Sequence, residues 1–321
     1  MNSLAFARVD LPRKGGNNRL SCIQAGAGRV AEKRYDASSA DGLERLEREA
    51  CALEFLGTLG VRNVPQLVSV DRENRVLCME WIEGGPADSI TDEDISTALS
   101  LAATLHAART NAGAHRLPLA REACLSLEAL CEQVRARLTR LRAAGEGDLE
   151  LLLDRAARAF ARAESDARSA PLRETLSHEE ATLSPSDFGF HNALRTADGR
   201  LTFIDFEYFG WDDPVKLTAD FLLHPGMALS PEQKRAFARG AETIYGGDAQ
   251  FRARLVAHFD LYALRWAAIV LNEFLPEGRA RRTFAGGERD WEATKHTQLA
   301  KAQRLLDELE SGAVHESLAD G

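Results

Sequence analysis

The chain has no run of about 18 consecutive apolar residues, the minimum for a membrane-crossing helix. Nor does its N-terminus hold an uninterrupted apolar core, because Asp10, Arg13 and Lys14 break the short stretches there. A basic excess is missing too: 40 Lys and Arg stand against 49 Asp and Glu, a net charge of -9, so no long-range attraction to nucleic acid or a membrane surface is expected. The five cysteines, Cys22, Cys51, Cys78, Cys124 and Cys131, show no CxxC or zinc-ligand spacing, which reads as reduced thiols and a cytoplasmic location. There is no GxxxxGK[ST] loop and no GxGxxG turn, which disfavours P-loop and dinucleotide folds. His178-Glu179-Glu180 lacks the second histidine of HExxH, which disfavours a metal hydrolase. What is present is an ordinary globular composition, 45% apolar and 28% charged over 321 residues, long enough for two lobes with a cleft between them.

Partial apolar alternation over residues 20–36, around Gly26 and Gly28, predicts a β-hairpin. Residues 41–59 place Leu43, Leu46, Ala50, Leu53, Phe55 and Leu56 at helical spacing, and residues 65–70 and 76–82 read as strands. Together they predict a β-β-α-β-β lobe over residues 1–85, closed by Gly84-Gly85-Pro86. Residues 86–321 read as mainly helical, with a helical hairpin at 125–144 and 149–167, β-type sequence confined to 183–206, and a frayed end at 311–321. The predicted fold class is α+β and two-lobed, a small β-rich lobe with one main helix followed by a large helical lobe.

Candidate chemistry concentrates in two places. Ser186-Asp187-Phe188-Gly189-Phe190-His191-Asn192 holds an Asp five positions before an Asn, the D-x-x-x-x-N spacing that sets a carboxylate against an acceptor hydroxyl and an amide oxygen on magnesium. Asp205, in Ile204-Asp205-Phe206, lies 18 residues downstream of Asp187 across one hairpin turn at Asp198-Gly199. That hairpin returns it beside Asn192, and two oxygen ligands there suit Mg2+ bound to a nucleoside triphosphate. Although Asp187-Phe188-Gly189 spells a metal-binding DFG, it precedes the Asn, so the metal role goes to Asp205 and the hydroxyl-directing role to Asp187.

In the first lobe Lys33 falls on the second strand of the hairpin and Glu49 on the helix after it, the pair that aims an ammonium at phosphates. Lys14 is the one other lysine there, and it precedes the hairpin. Lys14-Gly15-Gly16-Asn17-Asn18 is a candidate turn over the triphosphate.

Gly15-Gly16-x-Asn18, Lys33, ERLEREACALEFL with Glu49, LCMEWIEG, LSLAATLHAAR, SDFGFHN and IDFE occur in one order over roughly residues 15–220. In that order the chain resembles the aminoglycoside phosphotransferase and choline-kinase-like family of the protein-kinase-like superfamily. The resemblance implies an ATP- or GTP-dependent transfer to a hydroxyl of a small molecule such as an amino alcohol, a sugar or an aminoglycoside-like acceptor. It also implies that Glu80, Trp81 and Ile82 lie in a hinge holding the base, and that His106 is structural. The chain departs from the family pattern at Pro185-Ser186-Asp187, where His-Gly-Asp is usual, and at Leu217, where an Asp is usual, with Asp220 displaced. Loss of that histidine motivates an alternative, a nucleotide-binding pseudokinase with a regulatory role. Glu207 reads either as a metal- or substrate-orienting group or as a solvated strand-end carboxylate, and Asp212, Asp213, Glu179 and Glu180 suggest a cationic acceptor.

Overall fold

The computed structural model describes residues 8–10, 18–25, 28–279 and 290–319. The alternating segments form the hairpin β2 (Arg19–Ala25) and β3 (Gly28–Arg34), which pairs Leu20 with Lys33 and Cys22 with Ala31. A three-residue strand β1 (Arg8–Asp10), too short to show a period in the sequence, pairs with β2 on the far side. β4 (Leu67–Asp71) and β5 (Val76–Glu80) complete an antiparallel sheet ordered β1-β2-β3-β5-β4. Lys33 therefore sits on the central strand, its backbone flanked by Leu20 and Leu77.

The helix that follows the hairpin is α1 (Ala40–Thr58). Its N-cap is Ser39, whose hydroxyl accepts from Gly42 N at 3.1 Å, while Asp41 lies in the first turn. Leu46, Ala50, Leu53 and Leu56 bury its inner stripe. Arg45 and Glu49, one turn apart on the same side, go into the core with them at 2% and 0% exposure.

Gly84-Gly85-Pro86, expected to close the first lobe, forms a short strand. This β6 (Gly84–Pro86) is the edge of a second antiparallel sheet with β8 (Ala193–Thr196) and β9 (Leu201–Phe203). Pro86 has no N–H to donate, which an edge tolerates. Glycine is required at 84, because a Cβ there would stand 2.6 Å from the Arg195 carbonyl oxygen. β7 (Thr182–Ser184) and β10 (Gly210–Asp212) make a two-stranded sheet of their own.

Around these short sheets lie α2 (Asp92–Ala108), the hairpin of α3 (Leu127–Ala143) and α4 (Glu150–Ser169), α5 (Pro214–Leu223), α6 (Pro231–Tyr245), α7 (Phe251–Val270) and α8 (Trp291–Ser311). Every residue of α5 is buried, which makes it the central post of this half. Arg195 on β8 pairs with Asp94 in the first turn of α2, fastening the second sheet to the helical layer. No helix among the described residues is long and apolar enough to cross a membrane.

The expected frayed end is docked instead. Gly312 turns the chain with φ 78°, and residues Ala313–Leu318 form a 3-10 segment that buries Val314 and Leu318. Arg252 holds the Leu318 carbonyl at 2.6 Å and His315 pairs with Asp260 at 2.7 Å.

Candidate active site

β3 and α1 bring Lys33 and Glu49 together at 2.6 Å, with Glu49 fully buried. Glu49 also accepts from the Tyr35 hydroxyl and, through its other oxygen, from Phe206 N at 3.2 Å. The same Lys33 ammonium lies 2.5 Å from Asp205 and 3.2 Å from Glu207. Burial works against its charge, but Asp205, Glu207 and Glu49 prevail and raise Lys33 well above the ordinary lysine value. Asp205, by contrast, is raised above the usual carboxylate range by burial, with Lys33 opposing and Glu207 and Glu49 adding to the rise.

Glu207 is 2% exposed, so it is no solvated strand-end carboxylate. It accepts from the Asn18 amide and, at 3.3 Å, from Arg45, which also reaches the Asn18 oxygen at 3.4 Å. Asn18, expected over the triphosphate, is thus tied to this carboxylate. Gly15 and Gly16 lie outside the described residues, as does the turn residue Gly26. Arg45 and Tyr35 were not singled out from the sequence, though Arg45 is four residues before Glu49 and Tyr35 two after Lys33, spacings that share a face.

The second-half residues arrive on a loop after β7. Asn192 closes a 3-10 turn (Phe190–Asn192), and its amide nitrogen donates to the Asp187 carbonyl at 3.0 Å and to Asp187 Oδ2 at 3.2 Å. His191 Nε2 lies 3.0 Å from Asp187 Oδ1. Burial tends to raise Asp187, but the bond to His191, the nearness of His224 and the bond from Asn192 hold it well below the usual carboxylate range. The hairpin does return the Asp205 segment beside Asn192: Ala193 pairs with Phe203, and Ile204 N donates to the Asn192 carbonyl at 2.8 Å. Ser186 and Asp205 both adopt left-handed backbone, with φ 67° and 70°.

At the far end of β5, Glu80 N donates to Gln66 O at 2.8 Å, which removes that N–H from the groups able to hold a base. Trp81 donates to Glu83 at 3.2 Å under the Arg29 guanidinium, and Ile82 is half-buried. Trp81, Glu83, Arg29, Gln24 and Gly28 line an opening of about 330 Å³.

Three of the four acidic residues that suggested a cationic acceptor, Asp212, Asp213 and Glu180, are otherwise engaged, while Glu179 is exposed. Lys216, itself without exposure, pairs with Asp212 at 2.8 Å and Asp220 at 3.1 Å and donates to Ser186 Oγ at 3.1 Å. Arg254 holds Asp213, and Arg265 holds Asp220 at 3.0 Å. Glu180 is paired with Arg173. Asp212 and Asp213, at 0% and 3% exposure, offer nothing to a ligand. They form instead a buried brace under the Asp187 loop, with Asp220 in the place the displaced spacing had put in question. His106 lies apart from these groups, with Nδ1 3.2 Å from Thr182 Oγ1 and its ring edge-on to Tyr245.

Residues 12–255 match the family model described as the phosphotransferase enzyme family. No curated protein matches the chain. A spectinomycin phosphotransferase solved with ADP and spectinomycin superposes with TM-score 0.62 at 11% identity, over 96% of this chain and 93% of the other. The choline kinase LicA from Streptococcus pneumoniae gives TM-score 0.57 at 15% identity, over 95% and 94%. A Plasmodium vivax ethanolamine kinase gives TM-score 0.56 at 14% identity, over 94% and 82%.

Proposed function

Because the chain belongs to the phosphotransferase enzyme family, we propose that it moves the γ-phosphoryl group of ATP, or of GTP, onto a hydroxyl of a small molecule. One observation carries this reading. Lys33, held by Glu49 of α1, meets Asp205 of the β8–β9 hairpin, whose other end is joined through Asn192 to Asp187. A phosphate-aiming cation, a cation-binding carboxylate and a hydroxyl-directing carboxylate are thereby linked in one chain of contacts.

Asp187 is the group placed to receive the acceptor hydroxyl, and the donors on it keep it ionised for that purpose. A carboxylate held so far down is a weak base, so it steers the hydroxyl from the start and takes its proton late, as bonding to phosphorus develops. Lys33 neutralises phosphate charge, with Glu49 preventing the ammonium from wandering. The donor set beside it consists of oxygens: ligand oxygens of Glu49, Asp205 and Glu207 all lie within 4.8 Å of one another. Asn192 directs its amide nitrogen to Asp187, which leaves its amide oxygen for a cation. This set fits a hard divalent ion; Asn192 and Asp205 would hold magnesium, which when bound screens the charge of the triphosphate. Trp81 and Ile82 would flank the base.

The names of the structural neighbours indicate where to look for the acceptor: ethanolamine, choline and spectinomycin. Incubation with Mg-ATP or Mg-GTP and panels of such compounds and sugars, followed by nucleoside diphosphate release, should give acceptor-dependent turnover. A protein that binds Mg-nucleotide tightly yet phosphorylates no hydroxyl compound and hydrolyses none overturns the reading.

A further inference from the structure

Between β7 and Asp187 stand only Pro185 and Ser186, neither of which brings an imidazole or a cation to the carboxylate. Two histidines reach it from the other side. His191 Nε2 is 3.0 Å from Asp187 Oδ1, and His224 Nε2 is 3.6 Å from the same oxygen. The two imidazoles are stacked, centroids 3.6 Å apart and planes within 7°. His224 comes from the C-cap of α5, and its orientation is determined twice over. Gly226 N donates to its Nδ1 at 3.0 Å, and the Trp266 ring meets it edge-on with centroids 4.5 Å apart.

Three ligand atoms this close invite a metal ion, but the hydrogen-bond pattern excludes it. A nitrogen that binds metal must present a lone pair, and its ring normally donates through the other nitrogen. His224 does the opposite: Nδ1 accepts from Gly226, so the proton of the neutral ring is on Nε2, facing Asp187. The backbone is shaped around the pair. A Cβ at Gly226 would stand 2.8 Å from the His224 ring, and one at Gly189 would stand 2.8 Å from His191 Nδ1.

We propose that His191 and His224 are positioning residues for Asp187: His191 donates to Oδ1, His224 clamps the His191 ring by stacking, and the carboxylate is thereby turned so that Oδ2 faces the acceptor hydroxyl. This rests on the phosphotransfer role given to Asp187. The pair acts through the orientation of the carboxylate and touches neither phosphate nor acceptor. Rotation of a directing group by an ångström costs on the order of 10²-fold in rate.

The test compares His191→Leu, His191→Gln and His224→Leu with the parent for kcat, acceptor KM, Mg-ATP affinity and melting temperature. His191→Leu should lower kcat by about 10²-fold with KM and nucleotide affinity unchanged. His191→Gln, which returns an N–H near the lost one, should recover most of the loss, and His224→Leu should fall between them. Equal kcat for the Leu and Gln variants of His191, or an unaltered kcat in His224→Leu, overturns the proposal. Long-range ¹H–¹⁵N spectra of the histidine rings of the unmodified protein judge it without any acceptor. His224 should be the Nε2–H tautomer, and Asp187→Ala should shift the His191 Nε2–H signal. An Nδ1–H tautomer at His224, or an unmoved His191 signal, sinks the clamp. A parent that phosphorylates nothing while both signals behave as expected sinks the phosphotransfer reading instead.

Discussion

Lys33 on β3 and Asp205 beyond β9 are joined directly, ammonium to carboxylate, at 2.5 Å and 172 positions apart in sequence. One cation thereby contacts three carboxylates, those of Asp205, Glu207 and Glu49, with Arg45 also facing Glu207. Removing it as Lys33→Met leaves buried like charges facing one another, and about 3 kcal/mol of stability should be lost near neutral pH. The sign with pH follows from Asp205, whose pKa is raised. A raised group contributes stability that is complete below its unfolded value and lost as pH rises through its folded value. Denaturant melts of Lys33→Met at pH 5 and pH 8 should therefore show the smaller deficit at pH 5.

Asp205→Ala removes one of the crowded carboxylates, and its side chain is 36% exposed. The fold should survive by circular dichroism, while magnesium no longer strengthens the binding of a fluorescent nucleotide. A variant that binds Mg-nucleotide as well as the parent shows that Asp205 is not the metal ligand.

Asp187→Asn keeps the size of the side chain and its bond to Asn192 but removes the carboxylate. Turnover should drop by about 10² to 10⁴-fold at unchanged nucleotide affinity. The same pair of measurements separates an enzyme from a regulatory nucleotide-binding protein, in which the substitution would change neither.

Lys216 is buried against Asp212 and Asp220 under the loop that carries Asp187. Lys216→Met should cost about 3 kcal/mol in a chemical melt, since it leaves the interior Asp212 carboxylate without its cation, while Asp220 keeps Arg265. Lys216→Arg should not rescue it, because the cavity is filled by the shorter amine.

Three histidines make acid stability predictable. Burial, aided by Arg109, pushes His106 down to about 4. His258 is pushed down to about 4 by burial and Arg254, and His224 to about 3 by burial and His191. A depressed histidine contributes stability that is present above its unfolded value near 6.5 and lost as pH falls through the folded value. Urea midpoints should therefore decline from about pH 6.5 downward. His106→Gln with His258→Gln should flatten that decline.

The parts of the site that follow from short-range order were legible in the chain. Lys33 and Glu49 are set by a strand and the next helix, and Asp187, Asn192 and Asp205 by one hairpin, so the order of these elements, together with the family resemblance, brought them near one another. The His191–His224 stack was not, because it joins a loop to the end of α5 and depends on the Gly226 N–H and the Trp266 ring, both distant in kind from any sequence pattern. Burial misled the reading of Asp212 and Asp213: in sequence they are acids in a row, and in the fold they are neutralised. Part of the answer was available, since Asp212, Lys216 and Asp220 are spaced by four. The C-terminal segment and β1 were missed because three to six residues carry too little periodicity to read.

The contact at Gly84 bears on how the site is kept in register. β6 lies so close on β8 that one methyl group at Gly84 would press on the Arg195 carbonyl. Arg195 is pinned at its side chain by Asp94, so the β8 strand cannot simply retreat; it must pivot about that pin. Asn192 stands at the short end of this lever, three residues away, and Asp205 on the neighbouring arm. A wedge at Gly84, two residues beyond Ile82, would thus press on the strand that leads back to Asn192, one of the residues proposed to hold the cation. The close seat of β6 on β8 is one joint through which the first part of the chain bears on the hairpin that carries the candidate site.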